Sequence, residues 1–317
     1  MQRIRSFLLI AFGFSWAVAG VMALFGIHAS SGMAYIAGAA AFMLGPAVAA
    51  LVQHVLIDRS PASMLELHPR SIRIPALLWT VLLGVAIIPS FLVVDHVLGD
   101  RLGVAAFGHV SMASDHLEEV VAQMANERGV VTTSETMDAL RDVPGAVILL
   151  LVLIAAVFAA FTVNVPFMLG EELGWRGYLF QATSTWSAGR RILFTGTFWG
   201  LWHAPLILMG HNYPEHPWLG IPLMVVFCIL LAFLFDHCRT RVQSVWGPVV
   251  LHGLINGSAG ATALFAFGGH SLVASPVGAG GFIAIALLVV IVLSIDGSYR
   301  RALWVVPRSN ENGSVPG

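Results

Sequence analysis

Long apolar runs separated by short polar segments dominate the chain from its first residues to about residue 296. A helix needs about 20 mainly apolar residues to cross the hydrocarbon core of a bilayer. Runs near that length lie at 6–27, 34–57, 75–98, 145–169, 190–210, 217–237, 245–267 and 278–296. The pattern predicts an all-α polytopic membrane protein with about eight transmembrane helices.

The composition agrees with this interpretation. Hydrophobic residues make up 57% of the chain and charged residues only 10%, whereas an ordinary soluble domain carries about 25% charged residues. The excess apolar surface must therefore face a lipid bilayer. The formal net charge of -1 gives no reason to expect a nucleic-acid partner.

The distribution of positive charge predicts the orientation of the chain. All 16 basic residues are arginines, and 13 of them fall on one side of the predicted spans. Because positively charged segments stay in the cytoplasm, both termini are expected there. The prediction is one transmembrane domain over 1–297, an outer loop over about 99–143 and a polar cytoplasmic tail over 298–317, with disorder from Gly297 onward. A bacterial cytoplasmic membrane is the expected location.

Several ionisable residues lie at or outside the ends of the predicted spans. Asp95–His96, Asp236–His237 and His54 are interpreted as interfacial residues in contact with water. In the outer loop, apolar residues recur at helical spacing over 115–125, which predicts a short amphipathic helix with a solvated acidic face.

Two adjacent glutamates interrupt an apolar stretch that runs from Pro144 to Gly189. The local sequence is Gly-Glu-Glu-Leu-Gly-Trp-Arg-Gly, with Glu171, Glu172 and Arg176 as its ionisable residues. Ionisable groups inside a bilayer are costly and therefore mark function by default. Glu172 and Arg176 are one helical turn apart and are expected to pair. Glu171 would then be left to act as a general base.

Two further motifs lie in the next predicted membrane segments. The second runs from Trp199 to His203, and Pro205 is expected to bend or end its helix. The third is His252-x-x-x-Asn256, whose two residues share one helix face. Counted from the preceding arginines, both histidines lie about 16–18 Å along their helices. A lone buried histidine is more often a core residue than a catalytic one, but three such clusters at one depth indicate a common site.

In chain order, the three motifs resemble those of the CAAX-protease and bacteriocin-processing family of intramembrane proteases, which includes the type II CAAX prenyl endopeptidase: Glu171-Glu172-x-x-x-Arg176, Trp199-x-x-x-His203 and His252-x-x-x-Asn256. The resemblance covers about residues 145–260, and its first motif is the specific one. The second motif often begins with Phe in that family, whereas Trp199 stands here.

The resemblance implies that Glu171 deprotonates the attacking water with the help of His203, while His252 and Asn256 stabilise the oxyanion. It also implies supporting roles for Glu172, Arg176 and Trp199. No cofactor is expected. A divalent metal such as zinc remains open, with Glu171, His203 and His252 as the available ligands, although the familiar His-Glu-x-x-His arrangement is absent.

The leading hypothesis is an intramembrane endopeptidase that acts on a peptide or a membrane-associated protein. A non-catalytic bacteriocin-immunity factor or membrane scaffold is the first alternative. A proton-coupled secondary transporter is the second, because intramembrane acids and histidines also suit proton relays.

Overall fold

The computed structural model describes residues 2–59, 67, 72–127 and 133–306, and these residues are predominantly helical. The α-helices in chain order are α1 (Gln2–Leu24), α2 (Met33–Met43), α3 (Gly45–Val52), α4 (Ile74–Asp95), α5 (Ser114–Glu127), α6 (Ser134–Arg141), α7 (Gly145–Ala160), α8 (Val165–Glu172), α9 (Leu179–Ala182), α10 (Ala188–Trp202), α11 (Ala204–Leu208), α12 (Pro217–Val242), α13 (Trp246–Ser258), α14 (Gly260–Phe265), α15 (Ala279–Ile295) and α16 (Gly297–Ala302). The predicted all-α membrane architecture and the amphipathic helix in the outer loop are confirmed.

Non-α elements are short. Among the described residues, three segments form π-helices, at Gln53–Ile57, His96–Arg101 and Leu173–Tyr178. A 3₁₀ turn covers Ala105–Phe107. A pair of two-residue strands, β1 (His109–Val110) and β2 (Ala266–Phe267), runs antiparallel.

Four helical segments in the described part of the chain are long and apolar enough to cross a bilayer: Gln2–Leu24, Met33–Ile57, Ile74–Arg101 and Pro217–Val242. A fifth is reached if the broken pair Gly145–Ala160 and Val165–Ala182 counts as one span. The predicted number of eight is therefore not confirmed. The predicted spans at 190–210 and 245–267 are divided into shorter helices, and Ala279–Ile295 has only 17 residues.

The chain divides into two compact units. The first unit comprises Met1–Arg73, Leu169–Pro248 and Val289–Gly317. Within it, α10 packs along α12 through two glycines. A Cβ atom on Gly196 would lie 2.6 Å from the Ile229 Cα, and one on Gly200 would lie 2.5 Å from the Val225 Cα. Small residues four apart allow this close approach of two helix backbones.

The second unit comprises Ile74–Met168 and Val249–Leu288. Its α13 packs on α7 in a similar way, because Gly253 and Gly257 lie against the backbone at Ala160 and Ala156. A second apolar cluster joins α4 to α5, α14 and α15 around Phe91. The single domain predicted over 1–297 stays a prediction.

Expectations about the chain after the last apolar run require correction. The segment Gly297–Ala302 is helical, so disorder from Gly297 onward is wrong for this part of the tail. Asp296 caps α16 by accepting a hydrogen bond from the Tyr299 backbone N–H at 3.0 Å. Residues 307–317 of the predicted tail lie outside the described residues.

Asp296 also forms a two-point ion pair, in which Arg241 Nε and Nη2 each lie 2.6 Å from a carboxylate oxygen. Burial alone would raise the pKa of Asp296. Hydrogen bonds from Arg241, the Tyr299 amide and Ser298 outweigh that effect and hold the pKa of this carboxyl well below its usual range.

Four of the five span-end residues interpreted as interfacial are buried instead, whereas the His96 side chain is 42% exposed, as that interpretation expects. Asp236 and His237 lie inside the first unit, where Asp236 pairs with Arg191 and His237 lies 3.2 Å from Asp296. His54 is buried as well. In the second unit, Asp95 is fully buried. Contact with water therefore does not account for these charges.

Candidate active site

The adjacent glutamates lie where an α-helix changes into a π-helix. Helix α8 ends at Glu172, and residues Leu173–Tyr178 continue as a π-helix. Single π-helical turns occur often at functional sites, because they redirect side chains and release backbone carbonyls. Gly174 lies directly against Pro46 of α3, where a Cβ atom would collide. A glycine is needed at this position of the motif for that reason.

The predicted Glu172–Arg176 pair is confirmed. Arg176 Nη1 lies 3.1 Å from both carboxylate oxygens of Glu172, and the two side chains are 3% and 0% exposed. The central carbon of the guanidinium lies 4.1 Å from the Trp199 ring centroid and 4.2 Å from the Phe235 ring centroid, within cation–π distance of both. These two centroids are 5.3 Å apart, so the rings contact the guanidinium from neighbouring directions and not from opposite faces.

Glu171 contacts the second motif directly. Its side chain is 2% exposed, and Oε2 accepts a hydrogen bond of 2.9 Å from the Trp199 indole N–H. Hydrogen bonds to a charged acceptor are stronger than neutral ones, so this contact fixes one carboxylate oxygen firmly. The close packing of α10 on α12 places Trp199 at the position from which it reaches both Glu171 and Arg176.

His203 follows the last residue of α10. The helix stops at Trp202, and α11 begins at Ala204 with Pro205 in its first turn, as expected for a proline there. His203 Nδ1 lies 2.8 Å from the Trp199 backbone carbonyl oxygen. A carbonyl oxygen can only accept, so Nδ1 carries a proton in this contact, and Nε2 is the acceptor nitrogen whenever the ring is neutral. The same residue, Trp199, thus orients both Glu171 and His203.

His252 and Asn256 lie on α13 within the second unit. His252 is buried, and Asn256 Nδ2 lies 3.5 Å from the Met168 sulfur, which is a weak acceptor. The first unit brings together Glu171, Glu172, Arg176, Trp199 and His203. The expected convergence of His252 and Asn256 on Glu171 would join the two units and stays a prediction.

Sequence reasoning missed a second layer of buried charge behind the motif. Arg239 Nε donates to the Arg176 carbonyl oxygen at 2.8 Å. Arg191 makes a two-point pair with Asp236, at 2.6 Å from Nε to Oδ1 and 3.0 Å from Nη2 to Oδ2. The available signal was the spacing of Asp236 and Arg239, which puts both on one face of α12.

Comparison with known proteins finds similarity over the segment that contains these residues. Residues 144–258 match the family model described as type II CAAX prenyl endopeptidase Rce1-like. A relative named CAAX prenyl protease 2, from Methanococcus maripaludis, is 30% identical over 115 residues, which is 34% of this chain and 38% of the relative. The match therefore spans well under half of that protein's length. It confirms the family resemblance over the segment that carries all three motifs.

Proposed function

We propose that this integral membrane protein, which matches the type II CAAX prenyl endopeptidase Rce1-like family model over residues 144–258, is an intramembrane endopeptidase. The supporting observation is the buried carboxylate of Glu171, held at one oxygen by the Trp199 indole beside an oriented His203. A general base needs a fixed position close to the proton that it removes. This arrangement provides one inside an apolar protein.

In the proposed reaction, Glu171 removes a proton from a water molecule, and the resulting hydroxide attacks the carbonyl carbon of the scissile peptide bond. His203 Nε2 accepts a hydrogen bond from the same water and orients it. The tetrahedral intermediate carries a negative oxygen, which His252 and Asn256 stabilise with N–H donors. Glu171 then returns the proton to the leaving amide nitrogen, and the C–N bond breaks.

No metal takes part in the proposed reaction. The hydrogen bond from His203 Nδ1 to a carbonyl oxygen orients the ring, and it would do the same for a histidine that binds a metal. If a divalent ion such as zinc were bound, Glu171, His203 and His252 would be its ligands, and it would activate the water in place of the glutamate. Activity with and without a chelator distinguishes these two routes.

The proposed substrate is a peptide or a membrane-associated protein in the lipid bilayer. The experiment measures cleavage of a panel of fluorogenic peptides, prenylated and unmodified, by the full chain purified in nanodiscs. General bases contribute about 10²–10⁴-fold, so Glu171→Gln is expected to lose activity by that factor. His252→Ala and Asn256→Ala are each expected to lose about 10²–10³-fold, as for one oxyanion donor.

Glu119→Gln is the matched control, because this glutamate is exposed on α5 in the outer loop. It should cleave at the wild-type rate. A Glu171→Gln variant that cleaves as fast as Glu119→Gln would refute the role assigned to Glu171. A wild-type protein that cleaves no peptide, but still protects cells from a bacteriocin, would favour the non-catalytic alternative.

A further inference from the structure

A small cavity lies directly behind the motif helix in the first unit. Its volume is about 10 Å³, and its lining includes Trp175, Arg176, Arg191, Ala232 and Asp236. A volume of this size holds about one water molecule, provided that polar partners are available. The cavity joins two buried ion pairs, since Arg176 belongs to one pair and both Arg191 and Asp236 belong to the other.

Two buried donors at this cavity lack acceptors. No described residue accepts a hydrogen bond from Arg176 Nη2 or from Trp175 Nε1. Leaving a buried donor unsatisfied costs about 1–3 kcal/mol. Glu172 occupies Nη1, and the N–H bonds of a planar guanidinium point outward in its plane. An acceptor for Nη2 must therefore lie at the remaining edge of the guanidinium.

Asp236 has acceptor capacity to complete such a link. A carboxylate can accept about four hydrogen bonds. In the described residues, Asp236 accepts two from Arg191. The Tyr299 hydroxyl lies 3.0 Å from both Asp236 Oδ2 and the Phe233 carbonyl oxygen, so Asp236 accepts at most one more from it. One acceptor position therefore remains for a hydrogen atom of a bound water.

We propose that one water molecule occupies this cavity, accepts a hydrogen bond from Arg176 Nη2 and donates one to Asp236. The water joins the two ion pairs into one buried network. Asp236 then acts as a positioning residue, because Arg176 supports the Trp199 ring, whose indole N–H holds Glu171. This role rests on the proposed peptidase function, whereas the water site itself does not.

Two variants distinguish an effect on the position of Glu171 from a loss of protein stability. Ala232→Val fills the cavity and excludes the water but keeps both ion pairs. The double variant Arg191→Met/Asp236→Leu removes the second pair, and apolar replacement of a buried pair is often neutral for folding. We expect both to fold, with kcat lowered about tenfold and KM changed less than about twofold, because the lost contact orients the base and does not bind substrate.

Ala17→Val is the matched control, because Ala17 is exposed on α1, and it should keep wild-type kinetics. Full activity of both folded variants would refute the positioning role. If Ala232→Val fails to fold, the kinetics of the double variant decide.

An experimental map that shows ordered waters tests the site independently of activity. Density for a water between Arg176 and Asp236 supports the proposed water site. Clear density for both side chains without a water between them overturns the proposed water site. If the wild type cleaves nothing, the proposed function fails, while the map still decides the water site.

Discussion

Replacing Arg176 by methionine tests how much the motif depends on its buried ion pair. Arg176 Nη1 lies 3.1 Å from both oxygens of Glu172, and almost nothing of either side chain is exposed. Removing one partner of a buried pair leaves an uncompensated charge and costs about 3–5 kcal/mol. The lost cation–π contacts with Trp199 and Phe235 add about 0.5–2 kcal/mol each. We expect Arg176→Met to lower the free energy of unfolding by at least about 3 kcal/mol.

A double-mutant cycle isolates the pair from the packing around it. Glu172→Leu alone should also be strongly destabilising, because it leaves the Arg176 charge buried. The double variant Glu172→Leu/Arg176→Met leaves no charge behind, so it should be more stable than either single variant. Denaturation in mixed micelles, followed by tryptophan fluorescence, measures the three free-energy differences against wild type.

The sign of the coupling decides the outcome. We expect the double variant to lose at least about 2 kcal/mol less than the sum of the two single losses, a coupling typical of contacting residues. If the losses simply add, then Glu172 and Arg176 do not stabilise each other in the folded protein. A loss below about 1 kcal/mol for Arg176→Met would contradict the buried location of the pair, since exposed pairs contribute about that much or less.

Two further predictions concern helix packing and the C-terminal cap. Gly200→Ala should lower the free energy of unfolding by about 1–3 kcal/mol, because its Cβ would lie 2.5 Å from the Val225 Cα. Gly20→Ala is the control: a Cβ there would have no neighbouring atom within 4 Å, so this variant should be as stable as wild type or slightly more stable in the same unfolding assay. Asp296→Asn should keep the cap of α16 but lose the ion pair with Arg241. Asp296→Ala should lose the cap and the ion pair, so it should unfold at a lower temperature than Asp296→Asn. Because the pKa of Asp296 is depressed, its ionic stabilisation is complete above about pH 4 and decreases as the pH falls. The wild-type advantage over Asp296→Asn should therefore shrink in acid, and a constant difference would contradict the ion pair.

Local features of the fold could be predicted because they depend on local chemistry. Apolar runs define where helices form, since helices satisfy their backbone groups internally in lipid. The helix break before Pro205 follows from the missing N–H of proline. The Glu172–Arg176 pair follows from helical spacing, and it survives although the helix becomes π-helical at Leu173, because the two side chains remain adjacent.

The number of spans could not be predicted in the same way. A hydropathy average along the chain does not detect breaks in the helix within an apolar run. Such breaks divide three of the predicted spans. One falls between Ala160 and Val165, another between Trp202 and Ala204, and a third follows Ser258. Whether each pair of pieces crosses the membrane together depends on tertiary packing, which the pattern of apolar residues does not contain.

The buried charges behind the motif were misinterpreted for a related reason. Asp236 was assigned to the interface, in contact with water, and the burial of Arg191 and Arg239 was not expected. The structure pairs Arg191 with Asp236, 45 positions further along the chain, and Arg239 donates to the Arg176 carbonyl oxygen within the π-helix. The sequence around a charged residue at the end of an apolar run is the same whether its side chain is solvated or forms a buried ion pair. Which of the two occurs depends on the residue that pairs with it, and that residue is distant in the chain.

Trp199 makes two contacts in this chain, because its ring stacks on Arg176 and its indole N–H donates to Glu171. In the family that the chain resembles, an aromatic residue, often Phe, begins the second motif. A phenyl ring could stack on Arg176 as the Trp199 ring does at 4.1 Å, but it could not donate to Glu171. Stacking on the arginine is therefore the contact that any aromatic residue can supply. The indole N–H adds a second restraint on Glu171, so in this chain the orientation of the proposed base depends on both the ion pair and the tryptophan.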